Sequence, residues 1–312
     1  MKLIIQIPCY NEEMMLPITL SSLPKTIEGI DKIETLVIDD GSTDRSVEIA
    51  EKFGVDHIIR MNNHKGLART FMSGLQKCVS LGADIIVNID ADNQYNAEDM
   101  GVLIKPLLEK KADIVVGARP IERIKHFSFL KKILQKLGSF VIRLLSSTGV
   151  EDAPSGFRAF TKEAATMINV FDNYTYTLET IIQSKSKGLI IASVPIRVNA
   201  PSRTSRLFKN LFEYVRKSSF TMLRMFIIYR PFRFFALIGG FLFLLGLIIW
   251  LRFLFYYIIG DGNGHIQSLL FAAVLMIIGF QTGLFGVFAD LLAINRKLIE
   301  DVQVRIKKIE NK

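Results

Sequence analysis

Three short polar clusters carry the residue types best suited to chemistry. Asp90-Ala91-Asp92-Asn93-Gln94 sets two carboxylates at i and i+2. It follows the apolar run Ile85–Ile89, so both acids leave a strand end on a loop. Close like charges repel, and a divalent cation relieves that repulsion. Oxygen ligands of this kind suit Mg2+ or Mn2+. Read alone, the pair serves equally as a polar turn that caps the next helix. Asp39-Asp40-Gly41-Ser42-Thr43-Asp44 also follows an apolar run. Acids placed there can accept hydrogen bonds from the base or ribose of a nucleotide, or cap the helix that follows. Pro8-Cys9-Tyr10-Asn11-Glu12 supplies a rigid bend, an aromatic face and an acid. That set suits stacking and polar contact with a base.

The elements that must position these clusters alternate in type. Short apolar runs predict strands at Leu3–Ile7, Glu34–Ile38, His57–Met61, Ile85–Ile89 and Ile114–Gly117. Helices are expected within Asn11–Leu23, over Thr43–Phe53 with Ser42 or Thr43 as cap, and over Gly66–Leu81. Alternation at this spacing implies a mostly parallel, doubly wound α/β sheet. Such sheets bind ligands beyond the carboxyl ends of their strands. All three clusters fall at those ends, so one ligand could meet them all. Beyond Gly117 the pattern loosens. Lys131–Ser147 reads as a basic amphipathic helix, Asp152–Phe160 as a loop and strand, and Thr177–Gly188 as a helix. Ile190–Val198 suits an edge strand, because Pro195 cannot donate to a ladder. Cys9 and Cys78 stand far apart in no metal-type spacing and read as small buried residues.

Composition places the chain at a membrane. Half of its 312 residues are hydrophobic, and the mean hydropathy is +0.31. Phe234–Ile258 holds Arg252 as its only charge, and Gln267–Leu292 holds only Asp290. Each run is long enough to cross a hydrocarbon core of roughly 30 Å as a helix. Neither shows the polar stripe of a core helix. The opening MKLIIQIPCYNEE has too short an apolar stretch for a signal peptide, and no small-residue cleavage site follows. The link Ile259–Ile266 has no Lys or Arg, whereas Arg216, Lys217, Arg224, Arg230 and Arg233 flank one side and Arg296, Lys297, Arg305, Lys307 and Lys308 the other. Positive flanks stay inside, so both ends are expected in the cytoplasm, with the chain multi-pass in a cell or ER-type membrane. The net charge is +9. Much of it lies between Arg197 and Arg233, where basic residues face the single acid Glu213. Basic charge beside a span attracts anionic headgroups, which argues against nucleic acid as the partner. Lys209–Tyr229 has apolar residues on one side and basic ones on the other, the pattern of a helix lying on a membrane. The expected organisation is 1–206 catalytic, 207–233 amphipathic juxtamembrane helices, 234–292 a two-helix transmembrane hairpin, and 293–312 a short helical cytoplasmic tail. Gly239, Gly240, Gly279, Gly283 and Gly286 could pack helices closely, within the hairpin or between copies in a homo-oligomer.

Taken together, the clusters resemble the family-2 glycosyltransferases, whose nucleotide-binding fold is called GT-A. The matching pieces are P-x-Y-N-E at Pro8–Glu12, D-D-G-S-T-D at Asp39–Asp44 and D-A-D-x-Q at Asp90–Gln94, in matching order and interval. Lys65-Gly66-Leu67-Ala68 resembles the family's K-G-x-A segment, and Gly117-Ala118-Arg119 its G-S-R segment with Ala for Ser. Pro154–Phe160 closely resembles the S-G-F-R-A motif of dolichyl-phosphate mannose synthase and its bacterial polyprenyl-phosphate relatives. The resemblance covers about residues 3 to 206.

The resemblance implies a role for each matching position. Pro8, Tyr10, Glu12, Ile38, Asp39, Asp40 and Lys65 would hold the nucleoside part of a nucleotide-sugar donor, with Asp90 and Ala91 lining the same pocket. Asp92 and Gln94 would bind Mg2+ or Mn2+ bridging the donor diphosphate. Arg119 would contact the diphosphate or the phosphate of the acceptor. Arg203 and Arg206, with Ser205, stand nearest to the relatives' basic pair that closes over the phosphates, with Arg for Lys and different spacing. Lys136, where relatives often carry Arg, together with Ser155 and Arg158, would meet the acceptor phosphate or lipid. The implied activity is metal-dependent, inverting transfer of a sugar from a UDP- or GDP-sugar to undecaprenyl or dolichyl phosphate. A processive polysaccharide synthase is disfavoured. The Q-x-x-R-W motif is missing, since the only Trp, Trp250, follows Ile249 inside a span. A glycan or protein acceptor fits the S-G-F-R match less well, and intact acids at all three clusters argue against a non-enzymatic nucleotide-binding regulator.

Overall fold

The computed structural model describes residues 1–120, 148–170, 176–199, 219–220, 223–224, 226–260 and 266–310. Lys136, Arg203, Ser205 and Arg206 lie outside the described residues, as do Lys131–Ser147 and most of Lys209–Tyr229. The chain divides into two compact units, Met1–Ser218 with Val304–Lys312, and Ser219–Gln303.

The first unit is built on one seven-stranded sheet. Its strands are β1 (Lys2–Cys9), β2 (Lys32–Asp39), β3 (His57–Arg60), β4 (Ile85–Asn88), β5 (Ile114–Ala118), β6 (Arg158–Thr161) and β7 (Ile191–Pro195). The spatial order is β3-β2-β1-β4-β6-β5-β7. Pairing is parallel throughout except at β6, which runs antiparallel to both β4 and β5. β7 is the edge strand that Pro195 foretells, and that proline sits at its last position.

The helices are α1 (Leu16–Ser22), α2 (Ser46–Lys52), α3 (Leu67–Ser80), α4 (Met100–Leu108), α5 (Lys162–Met167) and α6 (Thr177–Ser186). Strands buried on both faces read as near-continuous apolar runs, because helices cover each face. On β1, Leu3, Ile5 and Ile7 join one core with Leu16 of α1 and Leu103, Ile104 and Leu107 of α4. Ile4 points the other way, into a core with Phe71, Leu75 and Cys78 of α3 and Ala164 of α5. Cys9 and Cys78 are both free and buried, and burial pushes the Cys9 thiol up to about 12.

One expectation is corrected. Helix α2 starts at Ser46, not Thr43, and neither Ser42 nor Thr43 caps it. Their hydroxyls are already engaged, Ser42 Oγ accepting from the Asn11 N–H and the Thr43 hydroxyl donating to Asn11 Oδ1. Arg45 stands at the N-cap position without a side-chain cap, and Asp44 just before it accepts from the N–H and hydroxyl of Ser46. The residues after Asn295 are helical as expected, as the continuation of α8 (Ile266–Glu310).

The second unit contains α7 (Pro231–Ile259) and most of α8. Both are long and apolar enough to cross a membrane, with mean hydropathies of 2.6 and 2.1. Only 11% and 17% of their most apolar windows are buried, whereas a soluble core helix is mostly covered. α7 begins at Pro231, whose missing N–H costs nothing at a helix start, and stops at Gly260 in a left-handed cap. The helices touch backbone to backbone. A Cβ on Gly239 would stand 2.6 Å from the Gly279 carbonyl oxygen, and one on Gly279 would stand 2.6 Å from Phe243 N. Gly286 also faces α7, through Phe232 and Phe235, while Gly240 and Gly283 border open space.

Candidate active site

The carboxyl ends of β2, β1 and β4 are adjacent, and their loops are bonded to one another. The Asn11 N–H donates to Ser42 Oγ at 2.9 Å, and Thr43 N–H returns a bond to Asn11 Oδ1 at 2.8 Å. Glu12 N–H donates to Ser46 Oγ and Glu13 N–H to Asp44. Asn11 adopts φ 53°, a left-handed conformation that Asn tolerates better than most residues. From the other side the Thr19 hydroxyl of α1 donates to the Ala91 carbonyl at 2.9 Å. The three clusters therefore form one rim, as their positions at strand ends predict.

Asp40 is 2% exposed. Its carboxylate accepts from the N–H groups of Lys65 at 2.7 Å and Gly66 at 2.9 Å, and lies 2.9 Å from His64 Nδ1. The carboxylate thus shapes the Lys65-Gly66 turn that starts α3. The His64 ring stacks on Tyr10 with centroids 4.0 Å apart. Asp39, also buried, receives the Ser42 N–H. Pro8 and Ile38 are paired across β1 and β2.

In the β4 loop, Asp92 Oδ1 accepts from the Gln94 N–H at 3.2 Å. Asn199, just beyond β7, staples this loop. Its amide donates to the Asn93 carbonyl, Asn93 Oδ1 and the Tyr95 carbonyl at 3.0 to 3.1 Å. Asp90 packs against Gly156, where a Cβ would stand 2.6 Å from Oδ2. Burial pushes the Asp90 acid up to about 7; the Asp92 charge adds to this, and Arg119 and Arg158 oppose it. Gly156 is itself gripped at both ends. Its N–H donates to the Tyr95 hydroxyl at 2.9 Å, and its carbonyl accepts from Asn88 Nδ2 at 2.8 Å and from Tyr176. Gln6 of β1 donates to Asn88 Oδ1 in turn.

Arg119, at the end of β5, forms a bidentate pair with Asp152, Nε to Oδ2 at 2.6 Å and Nη2 to Oδ1 at 3.0 Å. Burial works against its charge, but the Asp152 carboxylate outweighs burial and holds the guanidinium protonated above its ordinary range. Arg158 requires a correction. It is 0% exposed, and its nitrogens donate to the carbonyls of Ser155, Thr177 and Ala153 and to the Thr180 hydroxyl. A guanidinium so enclosed has no face to offer a lipid phosphate, and it instead knits the S-G-F-R turn to α6. Ser155 is likewise fully buried, and among the described residues its hydroxyl has no hydrogen-bond partner.

Among the described residues no three His, Cys, Asp or Glu side chains cluster to hold a metal. The donor set at Asp92 and Gln94 fits a hard cation that completes its shell with substrate phosphate oxygens and water, the usual habit of Mg2+. Burial is the main reason that Asp90 holds its proton more tightly, and the Asp92 charge adds a like-charge repulsion that a cation would relieve. Several residues of this site escaped sequence reasoning. Asp152 adjoins the Pro154–Phe160 motif and His64 adjoins Lys65-Gly66, so adjacency was an available signal for both. Tyr176 and Asn199 arrive through tertiary structure and carry no local mark.

A mostly parallel sheet with acids on its carboxyl rim and a D-x-D loop is the arrangement of the GT-A fold. The family described as "Glycosyl transferase family 2" matches residues 4–167, and the chain belongs to that family. It is therefore a glycosyltransferase. It is 32% identical over 231 residues to an uncharacterised protein of Methanocaldococcus jannaschii, covering 70% of this chain and 93% of that one. It is 32% identical over 213 residues to the UDP-N-acetylglucosamine–dolichyl-phosphate N-acetylglucosaminyltransferase of Methanococcus voltae, covering 61% and 83%. Identity to the dolichol-phosphate mannosyltransferase of Pyrococcus furiosus is 27% over 224 residues, covering 69% and 62%. Among solved structures, glucosyl-3-phosphoglycerate synthase from Mycobacterium tuberculosis, in complex with Mn2+ and uridine diphosphate, superposes with a TM-score of 0.56. It shares 20% identity, covering 72% of this chain and 78% of that one, and that likeness shows the fold.

Proposed function

We propose that this glycosyltransferase moves a sugar from a UDP- or GDP-sugar to a polyprenyl phosphate such as undecaprenyl or dolichyl phosphate. The observation that supports the reading is the hydrogen-bonded rim that joins the acid-bearing loops at the carboxyl ends of β1, β2 and β4. The acceptor rests on two further supports. Relatives are named as dolichyl- and polyprenyl-phosphate transferases, and α7 and α8 are long and apolar enough to reach a lipid.

The chemistry needs little base catalysis, because a phosphate acceptor is already anionic at neutral pH. An acceptor oxygen attacks the anomeric carbon as the bond to the diphosphate breaks, in one in-line displacement with inversion and no covalent enzyme intermediate. The barrier is the meeting of two anions. Arg119, held in place by Asp152, suits the planar geometry of a phosphate, and Arg203 and Arg206 would add positive charge. A divalent cation at Asp92 and Gln94, Mg2+ or Mn2+, would neutralise the leaving diphosphate. Tyr10, Glu12, Asp39, Asp40 and Lys65 would border the nucleoside. The catalytic unit and both termini would lie on the cytoplasmic side.

The test is nucleotide release by purified protein in detergent, over a panel of UDP- and GDP-sugars, with and without metal and lipid phosphate. Release should require both and disappear in Asp92→Asn. Release indifferent to the lipid would reassign the acceptor. Retained anomeric configuration in the product would rule out the single displacement.

A further inference from the structure

His64 makes the two contacts expected of a nucleobase. Its ring lies face to face with Tyr10, centroids 4.0 Å apart and planes 25° from parallel. Its Nδ1 lies 2.9 Å from Asp40 Oδ2. A carboxylate accepts and does not donate, so the imidazole carries its proton on Nδ1. An aromatic face against Tyr10 with a ring N–H aimed at Asp40 is what uracil or guanine would also present.

The three donors to Asp40 differ in their freedom to leave. Lys65 N–H and Gly66 N–H belong to the main chain. That stretch cannot retreat easily, since it is packed on Gly41. A Cβ there would stand 2.8 Å from the Asn63 carbonyl carbon and 3.0 Å from His64 N. The Met61 N–H is also bonded to the Asp39 carbonyl at 2.9 Å. Only the imidazole hangs on rotatable bonds, and its side chain is 54% exposed while Asp40 is almost fully enclosed. The cheapest way to open both the Tyr10 face and the Asp40 oxygen is to swing His64 outward.

We propose that His64 competes with the donor base, occupying the Tyr10 face and the Asp40 carboxylate until a base with its own ring N–H displaces it. The inference rests on the nucleotide-sugar reading above and adds a residue that sets donor affinity. Its cost falls on binding and not on the chemical step, because the anomeric carbon is transferred at the diphosphate end.

The test is calorimetric titration of the full chain in detergent with UDP and with GDP, in Mg2+, for wild type, His64→Ala and His64→Phe. Removing the competitor should tighten the nucleotide that wild type binds by about tenfold, equivalent to ~1.4 kcal/mol. His64→Phe keeps a stacked ring without the N–H, so it should fall between the two. Unchanged or weaker binding in His64→Ala, with wild type still binding, overturns the competition and leaves the donor reading intact. Binding of neither nucleotide by either protein removes both.

Discussion

The carboxylate of Asp90 lies flat against the α-carbon of Gly156, with no room between them for a methyl group. The contact joins the loop after β4 to the turn before β6, two segments far apart in sequence. Gly156 cannot give way, because Tyr95, Asn88 and Tyr176 hold both sides of its backbone. A Cβ at position 156 must therefore move Asp90. Gly156→Ala is expected to cost ~1–3 kcal/mol of stability through overpacking. It should also lower kcat by about 100-fold, the scale of a 1 Å misplacement at a reacting centre. Steady-state kinetics beside thermal melting checks this, and normal turnover by a folded variant would show that Asp90 tolerates the shift.

Asp90→Asn should separate stability from activity. The folded-state affinity of Asp90 for a proton is raised above its ordinary value of 3.8 to about 7. The folded chain then holds a proton that the unfolded chain has released, so stability falls as pH rises through that window. The neutral amide removes this cost. Without metal and nucleotide, Asp90→Asn should match wild type below about pH 4 and melt higher than wild type above pH 7, while losing transfer activity. Melting curves from pH 4 to 8 would expose a variant that is less stable at every pH.

Arg158 is predicted to matter for folding. Replacing it with Met leaves the carbonyls of Ala153, Ser155 and Thr177 without its donors. The Thr177 carbonyl keeps the Thr180 hydroxyl as a donor, so the expected loss is at least ~1–3 kcal/mol, the cost of one buried acceptor left unpaired. Arg158→Lys should not restore it, since an ammonium cannot reproduce the planar fork. Chemical denaturation measures the change. A variant of normal stability with impaired acceptor binding would return Arg158 to the lipid phosphate.

Glu34 gives the opposite pH signature at the other end of the sheet. Burial alone would raise its acid, but hydrogen bonds from Lys2, Lys32 and His57 outweigh burial and hold it down at about 2. A depressed acid stabilises the fold above its unfolded value of 4.5 and loses that contribution as pH falls towards 2. Glu34→Gln should therefore cost about 1.5–3 kcal/mol at pH 7, and the difference from wild type should close near pH 2. A gap that stays constant with pH would assign the effect to packing.

The parallel strands β1 to β5 and the two apolar helices were legible in the sequence, because their signals are local. A buried strand is a short apolar run, and a span is a long one. The acids at the strand ends were legible for the same reason, since an Asp pair after such a run stands out. The orientation of β6 was not, because four residues, Arg158–Thr161, carry no mark of direction. Arg158 itself misleads. Arginine is almost never fully buried without partners, and here the partners are main-chain carbonyls, which no side-chain pattern announces. The role of Asp44 at the start of α2 was hidden behind Ser42 and Thr43, two better-looking candidates whose hydroxyls the Asn11 loop engages.

The insertion of β6 between β4 and β5 has a consequence for synthesis. β4 has no partner on that side until Thr161 has left the ribosome, although the strand itself is complete at Asn88. Until then its edge, and the D-x-D loop beyond it, stay unpaired on the nascent chain, in the state where edge strands invite aggregation. A chain stopped before residue 158 is thus missing the middle of its sheet, and fragments of this enzyme should become soluble only once that wedge is included.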